Sequence, residues 1–109
     1  MELGLLGKTA LVTGASEGIG SAIPLNIRVN SLAPGRIQTA RADRLLEATA
    51  AARRTSPDAV LSELVKTIPS GRVGTIDDVA DAVCFLVSER ATYVNGAALV
   101  VDGSKSVVI

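Results

Sequence analysis

The sequence predicts an α/β fold of about three mostly parallel strands with helices, and three observations carry that prediction. Short apolar, β-rich runs recur at Lys8–Gly14 ("KTALVTG"), Asn26–Pro34 ("NIRVNSLAP") and Ala97–Ser104 ("AALVVDGS"). The long stretch between the second and third runs carries helix-start residues followed by apolar stripes. The first run ends in a glycine cluster, Gly14, Gly18 and Gly20, of the composition that a strand-to-helix turn requires. Strands that alternate with helices in this way build parallel sheets.

Taken in order, "KTALVTG" is apolar on both sides, as expected for a strand covered on both faces, and a helix is expected from about Gly18. That helix meets Pro24 within a few residues, which stops it. In the second run Ile27, Val29 and Ser31 alternate with Arg28, Asn30 and Leu32 before Pro34-Gly35 ends the strand, and its polar residues suggest incomplete burial. "ARADRLLEATAAARR" from Thr39 onward is alanine-rich and helical. "SPDAVLSELVKTI" starts a further helix, with Ser56 as N-cap, Pro57 at the first helical position and Asp58 in the first turn. Its apolar stripe is Val60, Leu61, Leu64, Val65 and Ile68. "TIDDVADAVCFLVSE" uses Thr75 as N-cap with Asp78 three residues on, close to a capping box. Val79, Val83, Leu86 and Val87 are expected to point one way, and Cys84 reads as a small core residue. "AALVVDGS" is the last strand and "KSVVI" a short tail.

Composition narrows the chemistry. A chain of 109 residues with 48% hydrophobic content and a mean hydropathy of +0.39 is that of a single globular domain. Eleven basic residues balance eleven acidic ones, and only Arg53 and Arg54 cluster, so no footprint for nucleic acid or an anionic membrane is present. The single Cys84 cannot form an internal disulfide, and no basic region with a long apolar run opens the chain, so a cytoplasmic setting is expected. The sequence has no histidine, which removes imidazole from acid/base or metal schemes, and no metal site is expected.

The stretch "TGASEGIG" (Thr13–Gly20) carries the chemistry. Between a strand and a helix, its glycines let the backbone approach a pyrophosphate, which the N–H groups and dipole at the helix start stabilise. The spacing is G-x-x-x-G-x-G rather than G-x-G-x-x-G, so taken alone it fits equally a turn that only needs positive φ.

Four blocks together extend this reading. "GKTALVTGASEGIG" resembles the opening of short-chain dehydrogenases/reductases, while "IRVNSLAPGRIQT", "GRVGTIDDVADAVCFLVSE" and "YVNGAALVVDG" resemble the closing third of that family, in the same order. The likeness is to bacterial 3-oxoacyl-reductase-like members, which share their ends with enzymes of many other substrates. It implies a truncated Rossmann-like fold that lacks the central strands of the doubly wound sheet. The whole chain, 1–109, would then be one incomplete domain: a strand-turn-helix over 1–23 and a C-terminal portion over 24–109. By the same resemblance Gly14, Ser16, Gly18, Ile19 and Gly20 hold the cofactor pyrophosphate, and Pro34, Gly35, Ile37 and Thr39 meet the nicotinamide end. The cofactor implied is NAD or NADP, bound weakly here, and Glu17 beside the turn disfavours a 2′-phosphate and leans towards NAD. The substrate implied is a small carbonyl or alcohol compound. The C-terminal helix and strand, which commonly form a subunit interface in the family, imply self-association.

Family members place well over a hundred residues between the glycine turn and the "IRVN" strand, so Ile23-Pro24 reads as a join. The catalytic Ser and the Tyr-x-x-x-Lys pair belong to that middle. Tyr93 is the one tyrosine, Ala97 stands four residues on, and the lysines are Lys8, Lys66 and Lys105, so no Tyr-x-x-x-Lys occurs and no catalytic residue is assigned. The "YVNGA" position of Tyr93 reads as structural. Three readings stay open: an oxidoreductase by descent that is inactive as it stands, a non-catalytic module for nucleotide binding or association, and a shortened product without function.

Overall fold

The computed structural model describes residues 9–13 and 28–106. Strands β1 (Thr9–Thr13), β2 (Arg28–Pro34) and β3 (Ala98–Val101) form one sheet in the order β1-β2-β3. Between β2 and β3 lie α1 (Ala40–Arg53), α2 (Pro57–Lys66), α3 (Ile76–Val87) and a 3₁₀ turn at Glu89–Ala91. The α/β class is thus met with three strands. β1 pairs with β2 in parallel, with Thr9 opposite Arg28 and Thr13 opposite Leu32. The Ser31 N–H donates to the Ala97 carbonyl (2.8 Å) and the Gly35 N–H to the Val101 carbonyl (2.9 Å), so β3 runs parallel to β2 as well. The expected helix from Gly18 and the Ile23-Pro24 join lie outside the described residues.

The chain divides into two units, one of residues up to Pro34 with Ala80–Val100, the other of Gly35–Val79 with Val101 onward. In the first, Val29, Leu32, Leu86 and Ala91 are buried. The expectation that the polar residues of β2 mark incomplete burial is corrected here. Asn30 is only 1% exposed, because its amide donates to the Val94 carbonyl (3.1 Å) and its Oδ1 accepts from the Ala97 N–H (3.0 Å). Asn95 Oδ1 accepts from the Val29 N–H (2.9 Å). The two asparagines thus tie β2 to the segment that enters β3. Arg28 is half-buried, and its guanidinium donates to the carbonyls of Leu86 (2.7 Å), Ala91 (2.7 Å) and Ser88 (3.1 Å). These oxygens end α3 and the 3₁₀ turn, where a cation complements both the orphan carbonyls and the helix dipole.

Cys84 is exposed, which corrects the reading of it as a core residue. Helical geometry gives the reason: Val79, Ala82, Val83 and the buried Leu86 share the inward stripe, whereas Ile76, Ala80, Cys84 and Val87 follow a second stripe turned away from it. Val87, expected with the inward set, is exposed for the same reason.

In the second unit α1 and α2 pack against each other. Thr39 caps α1 by accepting from the Ala42 N–H (3.2 Å), and Ser56 caps α2 by accepting from Ala59 N–H (3.2 Å), with Pro57 opening the helix as expected. Arg54 ends α1 in the left-handed region at φ 53°, and its N–H turns back to carbonyls of the last helical turn. Val60 and Ile68 of the expected stripe are buried, while Leu61, Leu64 and Val65 are half-buried because they border a cavity.

Candidate functional site

Of the residues assigned to the cofactor, Gly14, Ser16, Gly18, Ile19 and Gly20 lie outside the described residues. The other group falls on the strand end and loop that lead from β2 into α1. Pro34 closes β2 without an N–H to extend the ladder. At Gly35 the absence of a side chain is a packing requirement: an added Cβ would lie 2.7 Å from Asp102 Cα and closer still to Asp102 Cβ. Glycine here lets the end of β2 come against the end of β3, and backbone at the carboxyl ends of parallel strands is where open α/β sheets take ligands.

Ile37 is held by a second close approach. It pairs with Gly74 in an isolated parallel bridge, in which the Gln38 N–H donates to the Gly74 carbonyl (2.8 Å) and the Gly74 N–H to the Arg36 carbonyl (2.9 Å). A Cβ at Gly74 would stand 2.7 Å from Ile37 Cδ1. Thr39 Oγ1 serves as the helix cap, an acceptor's role that leaves the hydroxyl proton available to donate. A hydroxyl so placed has the chemistry to donate to a carboxamide oxygen, of which a nicotinamide would present one.

Gly74 is positioned by a cluster that the sequence reading saw only as a helix cap. Asp78 accepts from the Thr75 N–H (2.7 Å) and the Thr75 hydroxyl (3.0 Å), while Thr75 Oγ1 accepts from the Asp78 N–H (3.1 Å), a reciprocal capping box at the start of α3. Arg72 adds a two-pronged pair to the same carboxylate, at 2.6 and 2.8 Å. The guanidinium, then the Thr75 donors, hold the Asp78 carboxyl far below the usual carboxylate range, and Asp78 in turn raises Arg72. The sequence signal was present in "GRVGTIDD", an Arg six residues before an Asp with glycine between them. Asp102, beside Gly35, accepts from the Ser106 hydroxyl and N–H and from the Ser104 N–H, which lowers its carboxyl too.

Within the second unit a cavity of about 630 Å³ opens between α1, α2 and the segments around Ile37 and Val73. Ile37 lines it, whereas Pro34, Gly35 and Thr39 do not. Among the described residues no group of His, Cys, Asp and Glu side chains is arranged to hold a metal ion, and no helix is long and apolar enough to cross a membrane. Tyr93 is fully exposed.

A family model described as Enoyl-(Acyl carrier protein) reductase matches residues 20–104. The 3alpha-hydroxysteroid dehydrogenase of Mediterraneibacter gnavus is 44% identical over 79 residues, 72% of this chain and 27% of that protein. The 3-oxoacyl-(acyl-carrier-protein) reductase FabG of Chlamydia pneumoniae is 42% identical over 78 residues, again 72% of this chain and 27% of the relative. L-sorbose reductase from Gluconobacter frateurii, solved in complex with NADPH and L-sorbose, superposes with a TM-score of 0.71 at 30% identity, covering 77% of this chain and 32% of the other. The chain spans about a quarter to a third of the length of these relatives. With a family match over residues 20–104 and curated relatives more than 40% identical over about three quarters of its length, the chain belongs to the short-chain dehydrogenase/reductase family.

Proposed function

We propose that this chain is the nucleotide-binding remnant of an NAD(P)-dependent short-chain oxidoreductase and that it does not turn over by itself. The observation that carries the proposal is the pairing of a retained Pro34-Gly35 loop, with Ile37 and Thr39 held in place, with the lack of any Tyr-x-x-x-Lys in the sequence. When bound, a nicotinamide supplies hydride for exchange with a carbonyl or alcohol compound. Ile37 and Thr39 would meet its carboxamide end, and the glycines and Ser16 of the turn at Gly14–Gly20 would hold its pyrophosphate through backbone N–H groups. Glu17 favours NAD over NADP by repelling a 2′-phosphate.

Without a positioned acid/base, the proton that must accompany hydride has no donor, a loss of about 10²–10⁴ in rate before substrate positioning is counted. Tyr93 does not replace it, because its exposed side chain sits in the turn before β3, far in role from a group that must lie about 3 Å from a reacting oxygen. The test is paired: NADH is titrated by its fluorescence, and its oxidation is then followed by absorbance with a panel of ketones and 3-oxoacyl esters. Binding weaker than about 1 mM without steady oxidation is expected. Steady oxidation lost in Tyr93→Phe would make Tyr93 catalytic, and oxidation that survives the substitution would reveal another proton donor; either overturns the reading. A non-catalytic association module is the second reading, favoured by the apolar residues that α3 and β3 leave exposed.

A further inference from the structure

The Arg72–Thr75–Asp78 cluster holds more than a helix end. Capping α3 takes only Thr75 and Asp78, whose reciprocal bonds satisfy donors at the helix start. Arg72 lies outside that box. Its guanidinium grips both oxygens of the Asp78 carboxylate (2.6 and 2.8 Å) and also donates to the Val73 carbonyl (3.2 Å). A two-pronged pair of this kind fixes orientation as well as distance. The segment from Arg72 to Thr75 is thereby closed at both ends on one carboxylate, and Gly74 lies inside the closure.

The closure reaches Ile37 through Gly74. The loop from β2 to α1 is tied at one end by the Gly35 N–H on the Val101 carbonyl (2.9 Å) and at the other by Thr39, the cap of α1. Between those ends, the backbone hydrogen bonds of residues 36–38 among the described residues run to Gly74: the Gln38 N–H donates to its carbonyl (2.8 Å) and its N–H donates to the Arg36 carbonyl (2.9 Å). The Ile37 side chain lies against the same backbone, since a Cβ at Gly74 would stand 2.7 Å from Ile37 Cδ1. Where Gly74 moves, Ile37 must follow.

We propose that Arg72 and Asp78 are positioning residues for the nicotinamide-end loop: together they set the place of Gly74, and Gly74 sets that of Ile37. The proposal rests on the reading of Ile37 and Thr39 as the nicotinamide end, and both residues act through Gly74 rather than on the nucleotide itself. Every group it uses lies within the second unit.

The experiment is NMR of the full chain, with and without nicotinamide mononucleotide, in the parent, Arg72→Ala and Arg72→Lys. Arg72→Ala keeps the Thr75–Asp78 box, so α3 keeps its start. Amide exchange at Gly74 and Gln38, the two N–H groups of the bridge, should quicken about fivefold or more. Exchange at Ile68, whose N–H is bonded to the Val65 carbonyl (3.0 Å) in the same unit, should stay at the parent rate. Arg72→Lys keeps the charge without the planar fork and should fall between the two. In Arg72→Ala the Ile37 methyl signals should shift, and nicotinamide mononucleotide should bind about fivefold more weakly. Equal quickening at Ile68 would reduce the cluster to general stability and overturn the proposal. So would parent exchange rates at Gly74 and Gln38, or unaltered binding of the mononucleotide. A parent that binds no nicotinamide mononucleotide, with exchange still quickened at Gly74 and Gln38 alone, would overturn the nicotinamide reading and the positioning role with it.

Discussion

Asn30 shows why a residue-scale reading of β2 misjudges its burial. A polar side chain in a strand ordinarily signals solvent, yet this amide is buried because donor and acceptor both find backbone partners on the segment leading into β3. Replacing it by Ala leaves the Ala97 N–H and the Val94 carbonyl without their partner, at a cost of about 1–3 kcal/mol per buried unsatisfied group. Urea unfolding of Asn30→Ala should therefore show a lowered midpoint, and Asn30→Asp should not rescue it, because a carboxylate cannot donate to Val94. An unchanged midpoint in Asn30→Ala would mean that solvent reaches the site. Gly35 is the complementary case, a position defined by what it lacks. Gly35→Ala drives a methyl group into Asp102, an overpacking expected to cost about 1–3 kcal/mol. The same titration checks it, and Ala at Gly71, where an added Cβ meets nothing within 4 Å, serves as a control for backbone strain alone, since Gly71 has φ 73°.

Among the elements, the helix starts were the most legible, because their signals act locally: Thr39, Ser56 with Pro57, and Thr75 each cap the helix they were read to begin. What escaped the sequence is what depends on contacts distant along the chain. Arg28 caps carbonyls about sixty residues away and Gly74 braces Ile37; no periodicity encodes such pairings. The two-sided exposure of α3 escaped for a related reason, since a helix with apolar residues on two stripes does not declare which stripe is inward. The Arg72–Asp78–Thr75 cluster also makes a pH prediction. The folded carboxyl of Asp78 is depressed below its unfolded value, so its stabilisation is complete above about pH 4 and is lost as the pH falls further. Thermal melts of the parent between pH 6 and pH 3, values chosen to span the ordinary carboxylate range of about 4, should show a declining midpoint. Asp78→Asn should start lower and decline less steeply. Equal slopes in the two chains would show that Asp78 titrates as an ordinary surface carboxylate.

At the scale of the whole molecule, the decisive feature is how few apolar side chains are buried among the described residues of each unit. The first has Val29, Leu32, Leu86 and Ala91 as its buried apolar residues among those described, and the second has Ala50, Val60 and Ile68. Small cores leave little margin against conformational entropy, and small domains commonly recover it by association. The first unit meanwhile leaves Phe85, Val87 and Val100 exposed, all on α3 or β3. Exposed apolar side chains on a helix and on a strand at one end of the sheet order are the material of a protein contact. The purified chain should therefore self-associate at micromolar concentration through α3 and β3. Sedimentation velocity over a dilution series should show a concentration-dependent shift, and Val87→Lys should move it towards the monomer without loss of helical signal, since Val87 is already exposed and forms no part of the core. Cys84, exposed on the same helix, provides a second readout: mild oxidation should join two copies if their α3 helices meet, and Val87→Lys should suppress that cross-link. A compact monomer that binds no hydrophobic dye across the series would refute the assignment. Association that Val87→Lys leaves untouched would place the contact on another surface.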